Sequence, residues 1–379
     1  MSNSIPCMIM RGGTSRGPFL HMSDLPDDEA ARTELLLNLM GSGHALQIDG
    51  IGGGNPLTSK VAIVERSTIP NVDVDYLFAQ VDVLERRVDY NPNCGNMLSA
   101  VGPYAIETGL VEACDGITQV RVRNLNTQRL IECQVPTPHR QVSYEGETHI
   151  SGVPGSAAGI RLSFLDVVGA KTGQLLPTGH AYEEIDGISV TCLDAATPTV
   201  MLAAKDLGIS GNESAAELDN NQAMLTRLEL IRREAGLRMG MGDVSQSVLP
   251  KPLLLSVSDD PSCTLRARYF VPQRCHKSIA VTGAIALASA VSVPGTTANQ
   301  LAVASHRFDD CTLLARVRFE HPSGVIDLEV EHREGNAHDI SRVSLIRTAR
   351  KIMRGTIFYK AKEHSTSLTG STGKQSTSS

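Results

Sequence analysis

Two apolar helices, each opening at a cysteine, constrain this chain more than any other feature. Residues 92–111 read PNCGNMLSAVGPYAIETGLV, and residues 273–295 read QRCHKSIAVTGAIALASAVSVPG. Superposing Cys94 on Cys275 brings Gly102 onto Gly283, Ala105 onto Ala286, Leu98 onto Ile279 and Ile106 onto Leu287. The two cysteines lie 181 positions apart in a chain of 379 residues. A helix that is apolar on every side has to be buried. Two of them at half-chain spacing predict a duplicated α+β architecture, with two pseudo-symmetric domains that each wrap a mixed sheet around one central helix.

Composition narrows the function classes. The length suits two domains of ordinary size. Aromatic residues make up only 4% and Trp is absent, so Leu, Ile, Val and Ala must carry the cores. The formal net charge of -6 argues against a general nucleic-acid surface but leaves room for a small basic pocket. The apolar run from residue 278 to 295 is rich in Ala and Ser and stops at Pro294, so it reads as a core helix rather than a membrane span. No signal peptide is read at the N-terminus. Eight scattered cysteines without a CxxC suit a cytoplasmic protein with free thiols.

Along the chain, residues 5–10 read as a first strand that enters a loop, Arg11-Gly12-Gly13-Thr14-Ser15-Arg16-Gly17. Its amides and two arginines could cradle an anion, or the segment could be a tight turn with exposed cations; the residues alone leave both open. Residues 27–40 form an amphipathic helix with Gly41 as its C-cap. A glycine-rich loop then leads to Ser59 and Lys60, where a strand begins. It matches neither a dinucleotide fingerprint nor a Walker loop. Lys60 at that junction is half sheltered. Asn93-Cys94-Gly95-Asn96 places a thiol and several amides at a helix N-terminus, where the dipole favours anions. Pro103 predicts a kink or a late helix start.

From 118 to 165 the chain is strand-like, and 167–185 is the crossover between halves. Strands are expected at 188–194, 199–204, 251–257, 265–271, 313–320, 325–332, 340–346 and 354–360, with a helix ending before Gly236. Domain one covers 1–184 and is joined by 347–362. Domain two covers 185–346, and 363–379 is a disordered tail.

If the halves are related by a pseudo-twofold, Cys94 and Cys275 face one cleft. Asn93, Gly95 and Asn96 flank it on one side and His276, Lys277 and Ser278 on the other, with Arg11, Thr14, Ser15 and Lys60 from nearby loops. Such a site suits a small polycarboxylate whose carbon-bound proton is moved by a base. No cluster of His and carboxylates has metal-ligand spacing, so no metal is expected. His321-Pro-Ser-Gly reads as a turn first and a ligand contact second. Cys7, Cys114, Cys133, Cys192, Cys263 and Cys311 read as packing residues.

The strings MRGGTS, DGIGGGNPLTSK, VDYNPNCGN, CHKSIAVTGAI and HPSG resemble the methylaconitate isomerase and 4-oxalomesaconate tautomerase group of the diaminopimelate epimerase-like fold. The resemblance spans residues 5 to about 359. QIDGIGG, DVDYLFAQV and PKPLLLS look more like the oxalomesaconate branch, which is similar to enzymes of gallate, protocatechuate and lignin-derived aromatic breakdown. It implies cofactor-free 1,3-proton transfer on a small tricarboxylate keto acid. Lys60 matches the family's catalytic lysine and Cys94 its cysteine. Arg11, Thr14, Ser15, Ser59, Asn93, Gly95, Asn96, His276, Lys277 and Ser278 would bind substrate. No nucleic-acid or membrane partner is expected, and a homodimer is left open. The alternatives are an aconitate or methylaconitate isomerase, a two-cysteine racemase or epimerase using Cys94 and Cys275, and a metabolite-binding member without turnover.

Overall fold

The computed structural model describes residues 3–91, 93–271, 273–308, 313–333 and 338–359, so the expected tail and Cys311 lie outside the described residues. The first half contains β1 (Asn3–Gly12), β2 (Ser15–His21), α1 (Glu29–Met40), β3 (Lys60–Arg66), β4 (Val74–Val81), β5 (Val88–Asp89), α2 (Gly95–Leu98), α3 (Val101–Glu107), β6 (Gly116–Asn124), β7 (Arg129–Thr137) and β8 (Gly159–Leu165). The second contains β9 (Glu183–Ile185), β10 (Ile188–Ala195), β11 (Thr197–Ala203), α4 (Ala215–Asn220), α5 (Gln222–Arg238), β12 (Lys251–Ser256), β13 (Leu265–Tyr269), α6 (Val281–Ser292), α7 (Thr297–Ala304), β14 (Leu314–His321) and β15 (Gly324–His332). The chain ends on β16 (Ile340–Tyr359).

The strands follow one path, β1-β2-β3-β4-β6-β7-β8-β16-β15-β14-β13-β12-β11-β10-β9. Because β16 also pairs with β1, the first eight strands of that path close on themselves. The halves repeat one plan. β3 runs parallel to β2 and antiparallel to β4, and β12 runs parallel to β11 and antiparallel to β13. The two strands expected at 340–346 and 354–360 are one continuous strand. Its first part pairs with β8 and β15 and its last part with β1. The cations at Arg347, Arg350 and Lys351 interrupt its apolar pattern without interrupting its ladder.

The segment 11–17 is not an open loop. Arg11 and Gly12 pair with Arg16 and Ser15, and Gly13-Thr14 is a two-residue turn with Gly13 at φ 50°. Glycine takes that left-handed conformation without steric cost. α1 starts two residues later than expected because Asp28 caps it, accepting from the Ala31 N–H at 2.7 Å.

The expected helix after Cys94 is broken into α2 and α3. Pro103 has no N–H to offer the carbonyl of Ser99, and its ring crowds that carbonyl, so the helix restarts at Val101. The second apolar helix begins at Val281 rather than 278, with Ala280 as its N-cap. The preceding backbone is satisfied elsewhere. His276 N donates to Tyr269 O at 2.7 Å, and Ser278 N donates to His276 Nδ1 at 3.0 Å. All of α6 except Thr282 is buried. Each buried Leu, Ile or Val contributes about 1.5–3 kcal/mol. The small residues let sheet and helix approach closely: a Cβ on Gly283 would come within 2.4 Å of the Tyr269 ring.

Outer layers cover the sheet. α1 packs on Leu20, Val61 and Ile63, and α5 packs on Val200, Leu202 and Leu254. Among the described residues no single helix is long and apolar enough to cross a membrane. α6 and α7 pass that test only as a pair bent by 65°.

Candidate active site

The amino ends of α2 and α6 meet at the centre of the molecule. A Cβ on Gly95, the first residue of α2, would lie 2.8 Å from the Cβ of Val281, the first residue of α6. Neither N-cap side chain makes a capping hydrogen bond, so the first-turn peptide N–H groups of both helices are left without that acceptor. Cys94 is the N-cap of α2 and Ala280 the N-cap of α6. The structural repeat therefore runs from Cys94 to Ala280, 186 positions, and not from Cys94 to Cys275.

Cys275 does not stand at a helix start. It forms an isolated bridge to Phe270, and its N–H donates to Asp219 Oδ1 at 2.6 Å. Its side chain packs with Leu254 and Phe270 in the cluster beneath α5, where burial pushes the thiol up to about 11. Among the described residues, the two helix starts thus carry one thiol, Cys94, and an alanine, Ala280. Cys7, Cys133, Cys192 and Cys263 are buried packing residues, whereas Cys114 is exposed.

Lys60 opens β3 on the face that carries Ala62 and Val64 toward the central helices. Its Nζ donates to Gln80 Oε1 at 2.7 Å and lies 5.0 Å from the centre of the Phe78 ring. The Gln80 amide is fixed in turn, because Nε2 donates to Ser59 O at 2.9 Å and Pro56 O at 3.2 Å. Ser59 is fully buried and its hydroxyl accepts from Gln47 Nε2 at 2.8 Å. The glycine-rich loop therefore serves to hold the base of Lys60, and the Ser59 side chain is spent inside that network.

The β1–β2 hairpin lies against α2. A Cβ on Gly12 would lie 2.4 Å from Asn96 O, and Asn96 Nδ2 donates to Thr14 Oγ1 at 3.0 Å. Ser15 is 2% exposed, and its hydroxyl has no hydrogen-bond partner among the described residues. It shares its strand face with Gly17 and Phe19, which point toward α2 and α3. Asn93 Oδ1 accepts from Asn124 Nδ2 at 2.7 Å. Arg11 is not brought to the cleft. It alternates with Gly12 and so occupies the opposite face, where its guanidinium donates to Gly13 O, Thr348 O and Thr348 Oγ1. It braces the hairpin against β16.

The second half brings two histidines. His276 makes an edge contact with Tyr269 at 6.0 Å and accepts from Ser278 N on Nδ1, which leaves the neutral ring its proton on Nε2. Burial lowers its pKa, with Lys251 and Lys60 adding to the effect. His321 accepts from Ser323 N at 3.2 Å and contacts Ser278 Oγ at 3.4 Å. Burial, then Arg347, then His276 lower it to about 4. Ser323 Oγ donates to Lys277 O, so the β14–β15 turn clamps the segment before α6 while the Lys277 side chain stays exposed.

Arg347 was not legible as a site residue. It alternates with Val343, Leu345 and Ala349, all core residues, so it faces inward from the strand shared by both halves. Desolvation lowers its pKa to about 10. A cation at a core position of the alternation was the available signal.

The sequence profile described as "PrpF protein" matches residues 2–360. The chain is a member of the PrpF family. This PrpF protein is 50% identical to YbhH of Escherichia coli K12 over 93% of its own length and 99% of that protein. It is 47% identical to a 4-oxalomesaconate tautomerase of Pseudomonas putida, over 93% of this chain and 95% of the other. It is 42% identical to a (4E)-oxalomesaconate Delta-isomerase of Novosphingobium sp., over 94% and 98%. Among solved structures, a methylitaconate-delta-isomerase superposes with a TM-score of 0.84 at 36% identity, covering 94% of this chain and 96% of that one. A proline racemase structure at TM-score 0.50 and 13% identity shares the fold alone. The PrpF protein has the diaminopimelate epimerase-like fold and is an isomerase.

Proposed function

We propose that the protein moves a proton on 4-oxalomesaconate without a cofactor, by 1,3-allylic isomerisation or keto-enol tautomerisation, in the catabolism of aromatic or lignin-derived compounds. The observation that carries this reading is Cys94 at the N-cap of α2, whose amino end meets that of α6, with Lys60 fixed by Gln80 on the face of β3 that looks toward these helices. The tautomerase and Delta-isomerase relatives support the substrate class.

Lys60 Nζ takes a carbon-bound proton made acidic by the conjugated keto acid. The electron pair left behind spreads over a dienolate. The proton returns at the far end of the conjugated system, so nothing is oxidised and no group leaves. Peptide N–H groups of Gly95, Asn96 and the first turn of α6 stabilise the developing negative charge. Asn96, Thr14, the free Ser15 hydroxyl and Ser278 line the substrate, and Lys277 at the rim attracts it. His276 and His321 are held neutral and act as hydrogen-bond partners.

Two-thiol racemisation is disfavoured because Ala280 occupies the position opposite Cys94. The test is proton NMR of 4-oxalomesaconate in deuterated buffer. Loss of the vinyl pattern with deuterium at a carbon-bound position is expected, and unchanged substrate overturns the assignment.

A further inference from the structure

Lys251 occupies, in the second half, the place that Lys60 occupies in the first. In the first half Ala62 pairs with Phe78 and Lys60 with Gln80. In the second, Leu253 pairs with Tyr269. Laying Leu253 on Ala62 puts Tyr269 on Phe78 and Lys251 on Lys60. The parallel neighbours agree, since Phe19 pairs with Ala62 and Met201 with Leu253. Both lysines open their strand, and both alternate with core residues that face the central helices, Ala62 and Val64 in one half and Leu253 and Leu255 in the other.

The two differ in their surroundings. Lys60 has the Gln80 amide, whereas Lys251 is 9% exposed and has no hydrogen bond or ion pair to its side chain among the described residues. The charge that bears on it most is a cation, Arg232, itself paired with the Glu229 carboxylate. Arg232 lies on α5, with its guanidinium held by Glu229 and by the carbonyls of Val244, Ser247 and Leu249. His276 lies in the segment before α6 and feels both Lys251 and Lys60. The flanking strand residues Thr199 and Val271 carry no charge. A buried cation without a counter-charge is costly unless a ligand brings one.

We propose that Lys251 is a substrate-binding cation of this site, taking a carboxylate of the polyanionic substrate from the side opposite Lys60 and picking up a proton as it does so. This rests on the polycarboxylate reading of the cleft. Burial and Arg232 lower Lys251 to about 8 in the free protein, so above that pH the amine is largely neutral until an anion arrives. Arg347, the other inward cation of this half, carries fixed charge and adds no proton uptake.

The experiment is titration calorimetry with tricarballylate, an unreactive tricarboxylate, at pH 8.5 in two buffers of different ionisation enthalpy. For the wild type, net uptake on the order of three-quarters of a proton per ligand is expected. Lys251→Met should lose that uptake and weaken binding about tenfold or more. Lys251→Arg should restore binding without restoring uptake, which separates a titrating lysine from a packing role. Thermal unfolding of each variant shows that it is folded. Uptake that persists in Lys251→Met, or binding within twofold of wild type, overturns the role of Lys251 alone. A wild type that binds no tricarboxylate overturns the polycarboxylate reading and this inference with it.

Discussion

Gly95 and Val281 face each other at the amino ends of the two central helices, and the space a Cβ on Gly95 would need is already filled by the Val281 side chain at 2.8 Å. The contact sets how far Cys94 stands from the α6 amides. A Gly95→Ala substitution should push the helix ends apart, costing about 1–3 kcal/mol of stability and a larger share of activity than of fold. Val281→Gly in the same chain, which removes the Cβ as well as the methyl groups, should recover the lost activity. Denaturant unfolding and turnover of the double variant check this; a double variant no better than Gly95→Ala alone would show that the contact is not what Gly95 serves.

Lys60→Met should reduce turnover by about 10²–10⁴-fold while leaving the thermal midpoint near that of wild type, because among the described residues the Lys60 side chain hydrogen-bonds only Gln80. Gln80→Leu tests positioning rather than chemistry. It removes the amide that aims Nζ, so kcat should fall by about tenfold with KM little changed. An equal loss in KM would instead place Gln80 in substrate binding.

The two cysteines should separate cleanly. Cys94→Ala should lower turnover strongly with little change in stability. Cys275→Ala should keep turnover within about twofold and cost about 1–2 kcal/mol through lost packing. At pH 8 the Cys275 thiol, pushed up to about 11, should react slowly with iodoacetamide in the folded protein. Labelling followed by peptide mapping measures this, and rapid modification of Cys275 would contradict its burial.

His321 should make the fold acid-sensitive. Its folded pKa of about 4 lies below the unfolded value of about 6.5, so between these values the unfolded chain binds more protons and stability falls as pH falls. The contribution is fully present above about pH 6.5 and amounts to roughly 3 kcal/mol lost by pH 4. Urea midpoints from pH 7 to pH 4 should drop more steeply for wild type than for His321→Gln. Parallel slopes would remove His321 as the cause.

Much of the site was readable before any coordinates. The strings around Lys60 and Cys94 are contiguous, and local geometry follows from local sequence: a lysine opening a strand, a cysteine capping a helix, a glycine turning a hairpin. What could not be read was which distant groups satisfy which backbone. Sequence periodicity placed the second helix start near 278, yet the helix begins at Val281, after a segment in which His276 N donates to Tyr269 O and Ser278 N to His276 Nδ1. Cys275, expected beside Cys94, instead bridges Phe270 with its N–H on Asp219, and Ala280 takes the N-cap of the second helix.

The same limit applies to the cations. Sequence placed Lys251 on a strand but left Arg11 in a loop and Arg347 between two strands; the structure puts all three on strands, where alternation tells which neighbours share their face. Only the closed sheet decided which face is inside. Arg11 turns outward to brace Thr348, while Arg347 and Lys251 turn inward to the helices. A strand's period is local, but the identity of its two faces is set by the strands and helices packed against it from far along the chain.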